Sequence, residues 1–279
     1  MARYEDVLIT ADFDHTLTGP DGKIPERNME AIRYFTERGG AFTVNTGRSG
    51  VTARAMMGQV PANVPFILMN GSSMMQDGKC LELHLIELDP WPIVLRLTED
   101  FPEVEVEVQD NNFHYLLNPT KEKMEKYDKL GWTYKVVKPG DDLGPFAKFN
   151  VFPKAQMLQE AIANLHVHDE ATQLFDKIQA EIEELWGDKM VVFRSGSHLL
   201  NVHAKGVSKI TGARNLQNML GKKILVCVGD AGNDVPMLDG ADYAFCPCDG
   251  VVADRYTNLC SSGEGAIADL IYNKIPEIV

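Results

Sequence analysis

"LITADFDHTLTG" (residues 8–19) decides how this chain is read, because an apolar run there ends on two carboxylates, Asp12 and Asp14, spaced two apart. The preceding residues have the composition of a buried strand. A charge at the end of such a strand is costly unless a cation or a reaction requires it. Residues two apart in a strand point the same way, so the two carboxylates start out on a common side.

Working outward, the first eighty residues alternate in a regular rhythm. "VLITADF" predicts a strand, and "PERNMEAIRYFTERGG" a helix that opens at Pro25, buries Met29, Ile32 and Phe35 on one face and stops at Gly39. "AFTVN" predicts a second strand ending at Thr46-Gly47-Arg48, "VTARAMMGQV" a helix, and "PFILMN" a third strand. Strand and helix in alternation imply a parallel sheet with helices on both faces. After "NGSSMMQDGK" the rhythm changes to strand-like runs ("VEVEVQ", "HYLLNP", "KFNVF") and the acidic helix "EATQLFDKIQAEIEELWG". It then resumes with a helix across "SKITGARNLQNML", the strand "KILVCVGD", a short helix at "NDVPML" and a last helix in "GEGAIADLIYNKI". The expected fold class is α/β: a Rossmann-like parallel-sheet core of residues 1–82 and 195–279, interrupted by an inserted α+β domain over 83–194.

Composition narrows the function classes. The chain has 279 residues, 44% of them hydrophobic, enough for two domains. With 27 basic against 40 acidic residues its net charge is −13, which argues against nucleic acid and acidic membranes as general partners. No run approaches the roughly 20 apolar residues of a membrane span, and "MARYEDVLIT" is too short and acidic for a signal peptide. Five cysteines, Cys80, Cys227, Cys246, Cys248 and Cys260, form no disulfide framework, so a reducing cytoplasm is expected. The "CPC" of Cys246 and Cys248 lacks the spacer of a metal pair and reads as structural thiols.

The chemistry collects at strand ends, the edge at which open α/β sheets bind ligands. Thr46 closes the second strand, and "GDAGND" (229–234) closes "KILVCV". Asp12, Asp14, Asp230 and Asp234 brought together would repel one another. An oxygen-ligated divalent cation relieves that, and Mg²⁺ is the natural choice. Asp12 could then attack a phosphorus centre as nucleophile while Asp14 protonates the leaving oxygen and later activates water. The negatively charged phosphoryl group needs donors, for which Thr46, Gly47 and Lys209 are available.

These residues resemble the motifs of a known superfamily. "DFDHTLT" looks like the first motif, D-x-D-x-T, of the haloacid-dehalogenase-like (HAD) hydrolases. "VNTGRS" is similar to the second, "KGVSKI" to the third, and "VGDAGNDVPML" closely to the fourth. The insertion resembles the type IIB cap of the Cof-type phosphatases, and "GEGAIADLI" their C-terminal helix. The resemblance implies that Asp12 is the nucleophile and Asp14 the acid/base. It gives Mg²⁺ to Asp12, the backbone carbonyl of Asp14 and Asp230, and the phosphoryl group to Thr46, Gly47 and Lys209. Asn233 would assist at metal and phosphate, with Asp234 in support. Lys209, rather than Lys205, matches the functional lysine.

Two positions depart from the family pattern: His15, where glycine is commonest, and "FCPCDGVV" after "ADYA". Arg194 and His198 in "FRSGSH", and Asn70 in "MNGSS", are candidates to meet the substrate's leaving group. The expected function is a Mg²⁺-dependent phosphomonoesterase of small phosphorylated metabolites, sugar phosphates foremost, working as a monomer or homodimer. A phosphomutase of the same fold would need more cap arginines than Arg96 and Arg194. A non-catalytic metabolite-binding protein would not need an intact nucleophile, lysine and metal acids.

Overall fold

A computed structural model describes residues 4–154, 165–196 and 198–279, the first five residues of the second stretch by backbone alone. Along the chain, β1 (Val7–Ala11) leads into a kinked turn (Phe13–Leu17), α1 (Glu26–Thr36), β2 (Ala41–Val44), α2 (Gly50–Met57), β3 (Phe66–Leu68), β4 (Ser73–Gln76) and β5 (Lys79–Leu83). There follow α3 (Pro90–Asp100), β6 (Val104–Gln109), β7 (His114–Leu117), α4 (Lys121–Leu130), β8 (Tyr134–Val137), β9 (Lys148–Pro153), α5 (Leu165–Trp186), β10 (Met190–Arg194) and β11 (Leu200–Ala204). The chain closes with α6 (Lys209–Leu220), β12 (Ile224–Val228), α7 (Val235–Asp239), β13 (Tyr243–Pro247), β14 (Thr257–Leu259), α8 (Ala266–Asp269) and α9 (Ile275–Ile278).

Two compact units result: residues 1–48, 53–82 and 208–279 form the first, and 49–52 with 83–207 the second. In the first unit five strands form a parallel sheet in the order β14-β13-β12-β1-β2. Both faces are buried, as the period-2 geometry of near-continuous apolar strands requires. Val7, Ile9 and Ala11 of β1 join Ile32 and Phe35 of α1 and Ile267 and Ile271 near the C-terminus. Leu8, on the opposite face, packs with Ala213 and Leu216 of α6 and Met237 of α7. The third strand of the expected rhythm meets this sheet at the parallel bridge Asn45–Ile67, and it pairs with β4 in a small β3-β4-β5 sheet.

The second unit has its own sheet, β10-β11-β9-β6-β7-β8, antiparallel except for the parallel pair β7–β8 that α4 connects. Val106, Val108, Phe149, Val151 and Val202 form one face and pack against Ile93, Val94 and Leu97 of α3 and Phe175, Ile178 and Ile182 of α5. The alternate residues Glu107, Gln109, Lys148, Asn201 and His203 are polar and buried. An inserted domain ending at residue 194 would cut between β10 and β11. Those strands pair from Met190–Ala204 to Arg194–Leu200, so the ladder carries residues 195–207 with the second unit.

Candidate functional site

The first unit's site is built at the carboxyl ends of β1, β2 and β12. The backbone N–H of Asp12 donates to Val228 of β12, and that of Asn45 to Ala11 of β1, so the three strand ends are tied together. Beyond β1 the kinked turn carries the chain away through Asp14 in an extended conformation (ψ 130°) and His15 in the left-handed region (φ 57°). That backbone explains the preference for glycine at the His15 position. Histidine is one of the few other residues enriched there.

The carboxylates of Asp12, Asp230 and Asp234 each offer an oxygen within 4.8 Å of the others, and among the described residues this is the one metal-type cluster of His, Cys, Asp and Glu side chains. Lys209 lies in it: its Nζ donates to Asp12 Oδ1 and to Asp234 Oδ1, both at 2.6 Å. The lysine is fixed from both directions. Ser208 caps α6 by accepting from the Thr211 N–H, in a capping box, and the Asn45 side-chain amide donates to the Lys209 carbonyl at 2.8 Å.

Asp234 closes its own turn. Its Oδ2 accepts the N–H groups of Asp230 and Ala231, each at 3.1 Å. A Cβ on Gly229 would come within 2.5 Å of the Asp234 Cβ, so that position takes glycine. Thr16 donates to Asp230 Oδ1 at 2.8 Å and so aims it.

The cluster is charge-deficient. Burial raises Asp12 to about 7, with Asp234 and Asp230 pushing the same way and Lys209 opposing. Burial, then Asp234, raises Asp230 to about 6. Burial alone would depress Lys209, but the two carboxylates more than offset it and hold the ammonium protonated. Asp12 and Asp230, both held above the ordinary carboxylate range with one ammonium in the cluster, leave it short of positive charge. That deficit, met by oxygen donors alone, is the environment a hard divalent cation fits.

Other expected residues lie differently. Asp14 stays outside the acid cluster. Its carboxylate, about half exposed, is gripped by Arg48 through Nε (3.0 Å) and Nη2 (2.6 Å). Thr46 is buried, and its hydroxyl accepts the Arg48 N–H at 3.3 Å. Gly47 abuts the Asn70 carboxamide. Asn233 is half-buried in the turn Gly232–Asp234. Lys205 is exposed and donates to the Gly187 carbonyl.

Arg194 pairs with Asp176 of α5 and donates to the Thr172 carbonyl, and His198 meets the Phe175 ring edge-on. Both sit against α5. Cys246 is buried, Cys248 exposed, and both thiols are free.

Sequence reasoning missed Thr16, Arg48 and Asn45 as members of the site. The D-x-D-x-T spacing held the signal for Thr16. Nothing local marks Arg48 or Asn45, whose partners lie 34 and 164 residues away.

A parallel α/β sheet with a carboxylate, a lysine and further acids at its carboxyl edge, interrupted by a separate α+β unit, defines a hydrolase of the HAD fold. The chain belongs to the haloacid dehalogenase-like hydrolase family, whose model matches residues 9–247, and it is a HAD-type phosphatase. It is 26% identical over 243 residues to a 5-amino-6-(5-phospho-D-ribitylamino)uracil phosphatase of Escherichia coli K12, covering 85% of this chain and 83% of that one. Among solved structures it resembles a haloacid dehalogenase-like hydrolase of B. subtilis (TM-score 0.76, 16% identity, 96% and 99% of the two chains). A HAD subclass IIB sugar phosphatase is also similar (TM-score 0.69, 18% identity, 98% and 99%).

Proposed function

We propose that this phosphatase is a Mg²⁺-dependent phosphomonoesterase of small phosphorylated metabolites in the cytoplasm, sugar phosphates foremost, acting through an aspartyl-phosphate. The observation that carries the reading is the Asp12 carboxylate held 2.6 Å from the buried Lys209 ammonium and clustered with Asp230 and Asp234.

Asp12, Asp230 and the Asp14 carbonyl would hold Mg²⁺, which when bound supplies the missing positive charge and polarises the phosphoryl oxygens. Asp12 attacks phosphorus, the bond to the leaving oxygen breaks, and Asp14 delivers the proton that oxygen needs. Asp14 then takes a proton from water, which attacks the aspartyl-phosphate, releases phosphate and restores Asp12. Lys209, Thr46 and the N–H groups beside Gly47 offset the charge of the transferring group, with Asn233 assisting. The exposed position of Asp14 suits a group that must exchange protons, and Arg48 orients it. The cap arginines favour hydrolysis over mutase chemistry, because Arg96 is engaged by Asp100 and Glu181 and Arg194 by Asp176.

The test is phosphate release from a panel of sugar phosphates and phosphorylated ribityl compounds, with Mg²⁺ and with chelator. The wild type should turn over at least one class, and chelation should abolish the activity. Asp12→Asn should lower kcat by roughly 10³-fold or more. Wild-type silence across the panel, or undiminished turnover by Asp12→Asn, would refute the mechanism.

A further inference from the structure

Three consecutive residues after β3, Met69, Asn70 and Gly71, have positive φ angles of 49°, 52° and 98°. Only glycine adopts that region without cost, and asparagine tolerates it better than most. A buried run of this kind persists only where its surroundings impose it, and such strain gathers at functional sites.

The surroundings here are the two halves of the phosphoryl site. The Met69 N–H donates to the Arg48 carbonyl at 2.9 Å, and the Asn70 N–H to the Thr46 carbonyl at 3.0 Å, so the turn that follows β2 hangs on this segment. The Asn70 carboxamide lies against Gly47, where an added Cβ would come within 3.1 Å of its Oδ1 and 3.4 Å of its Nδ2. On the other side, a Cβ on Gly71 would stand 2.1 Å from the carbonyl oxygen of Ser208, the N-cap of the helix that Lys209 begins. Gly212 of that helix also approaches Gly71 closely, its added Cβ meeting the Gly71 Cα at 2.9 Å. The left-handed run is thus wedged between the Thr46–Gly47 turn and the lysine helix.

We propose that Asn70 is a positioning residue of the phosphoryl site, which sets Thr46–Gly47 by its backbone N–H and by its carboxamide against Gly47. The inference rests on the reading of Thr46 and Gly47 as phosphoryl-binding. It gives the left-handed segment a role that core packing alone does not demand. A glycine at position 70 would keep the backbone donor and relieve the strain, whereas an aspartate would keep the size and place an anion beside Gly47.

Inorganic phosphate titrated calorimetrically in Mg²⁺ into wild type, Asn70→Gly and Asn70→Asp tests this, alongside thermal midpoints and kcat and KM on a turned-over ester. Asn70→Gly should melt at or above the wild-type midpoint yet bind phosphate about tenfold more weakly, with the loss mostly in KM. Asn70→Asp, which puts a charge in a buried position, should melt below wild type and bind phosphate more weakly still. Phosphate affinity of Asn70→Gly within twofold of wild type would overturn the proposal alone, as would affinity falling only in step with stability. A wild type that binds no phosphate would remove the underlying reading, and the proposal with it.

Discussion

At the scale of single residues, the site is an electrostatic problem that one lysine only partly solves. Asp12 and Asp230 both have carboxyls held above the ordinary range, to about 7 and about 6, chiefly by burial. A carboxyl whose folded pKa exceeds its unfolded value binds its proton more tightly in the folded state. Its contribution to stability is therefore full below the unfolded value near 4 and is lost as pH rises through the folded one. Without divalent cation, the thermal midpoint should carry a component that falls between about pH 4 and pH 7, and Asp12→Asn should flatten it. Saturating Mg²⁺ should raise the wild-type midpoint most at the upper end of that window, because the cation binds the deprotonated carboxylates. Differential scanning calorimetry across that range, with cation and with chelator, checks the sign. A cation effect independent of pH would argue against a carboxylate site.

At the scale of elements, β6 of the second unit carries a buried charge, Glu107. Glu107 is almost fully buried, yet its oxygens meet the Tyr127 hydroxyl at 2.6 Å, the Gln109 amide at 2.5 Å, His114 Nδ1 at 3.0 Å and Lys123 at 3.4 Å. Burial alone would raise its pKa. The His114 contact, Lys123 and the Tyr127 hydrogen bond outweigh it and hold the carboxyl at about 2. A depressed carboxyl contributes stability above its unfolded value near 4.5 and loses it as pH falls toward 2. Removing the acid strands its donors in a dry interior, so Glu107→Ala should destabilise the second unit by about 3–5 kcal/mol. The urea midpoint at pH 7 measures this, and the deficit should shrink toward pH 2. A loss under about 1 kcal/mol would mean that water reaches these groups.

The element scale also separates what was legible in the sequence from what was not. The rhythm of strand and helix was plain because each element's apolar period is a local property. The helix expected across 208–220 begins at Lys209, and the turn 229–234 follows β12 as the run "KILVCV" implies. The end of the insertion was not plain. "FRSGSH" reads as a return to the core, but its first residues, Phe193 and Arg194, pair with Asn201 and Leu200 of β11, which no local period announces.

At the scale of the whole molecule, each unit holds a hydrophobic core of its own, and all of the second but residues 49–52 falls in one segment, 83–207. A segment of that size with a helix-covered apolar sheet face has what independent folding requires. Residues 83–207 expressed alone should show native-like circular dichroism and a single cooperative urea transition. A non-cooperative transition would show that the core unit is needed to complete its fold. Among the described residues, no helix is long and apolar enough to cross a membrane.

The sequence by itself determined the sheet's direction, the strand-end positions of Asp12, Thr46 and Asp230, and the family, because all of these follow from short-range pattern and spacing. Only the tertiary structure decided which groups touch. It brought Lys209 onto Asp12 across 197 residues and drew Asp234 into the cluster. It also turned the Asp14 carboxylate out toward Arg48 and wedged Asn70 against Gly47. The reason is physical: periodicity fixes which face a side chain starts from, but charge pairing and close packing depend on distances of a few ångströms between segments that only the folded chain brings together.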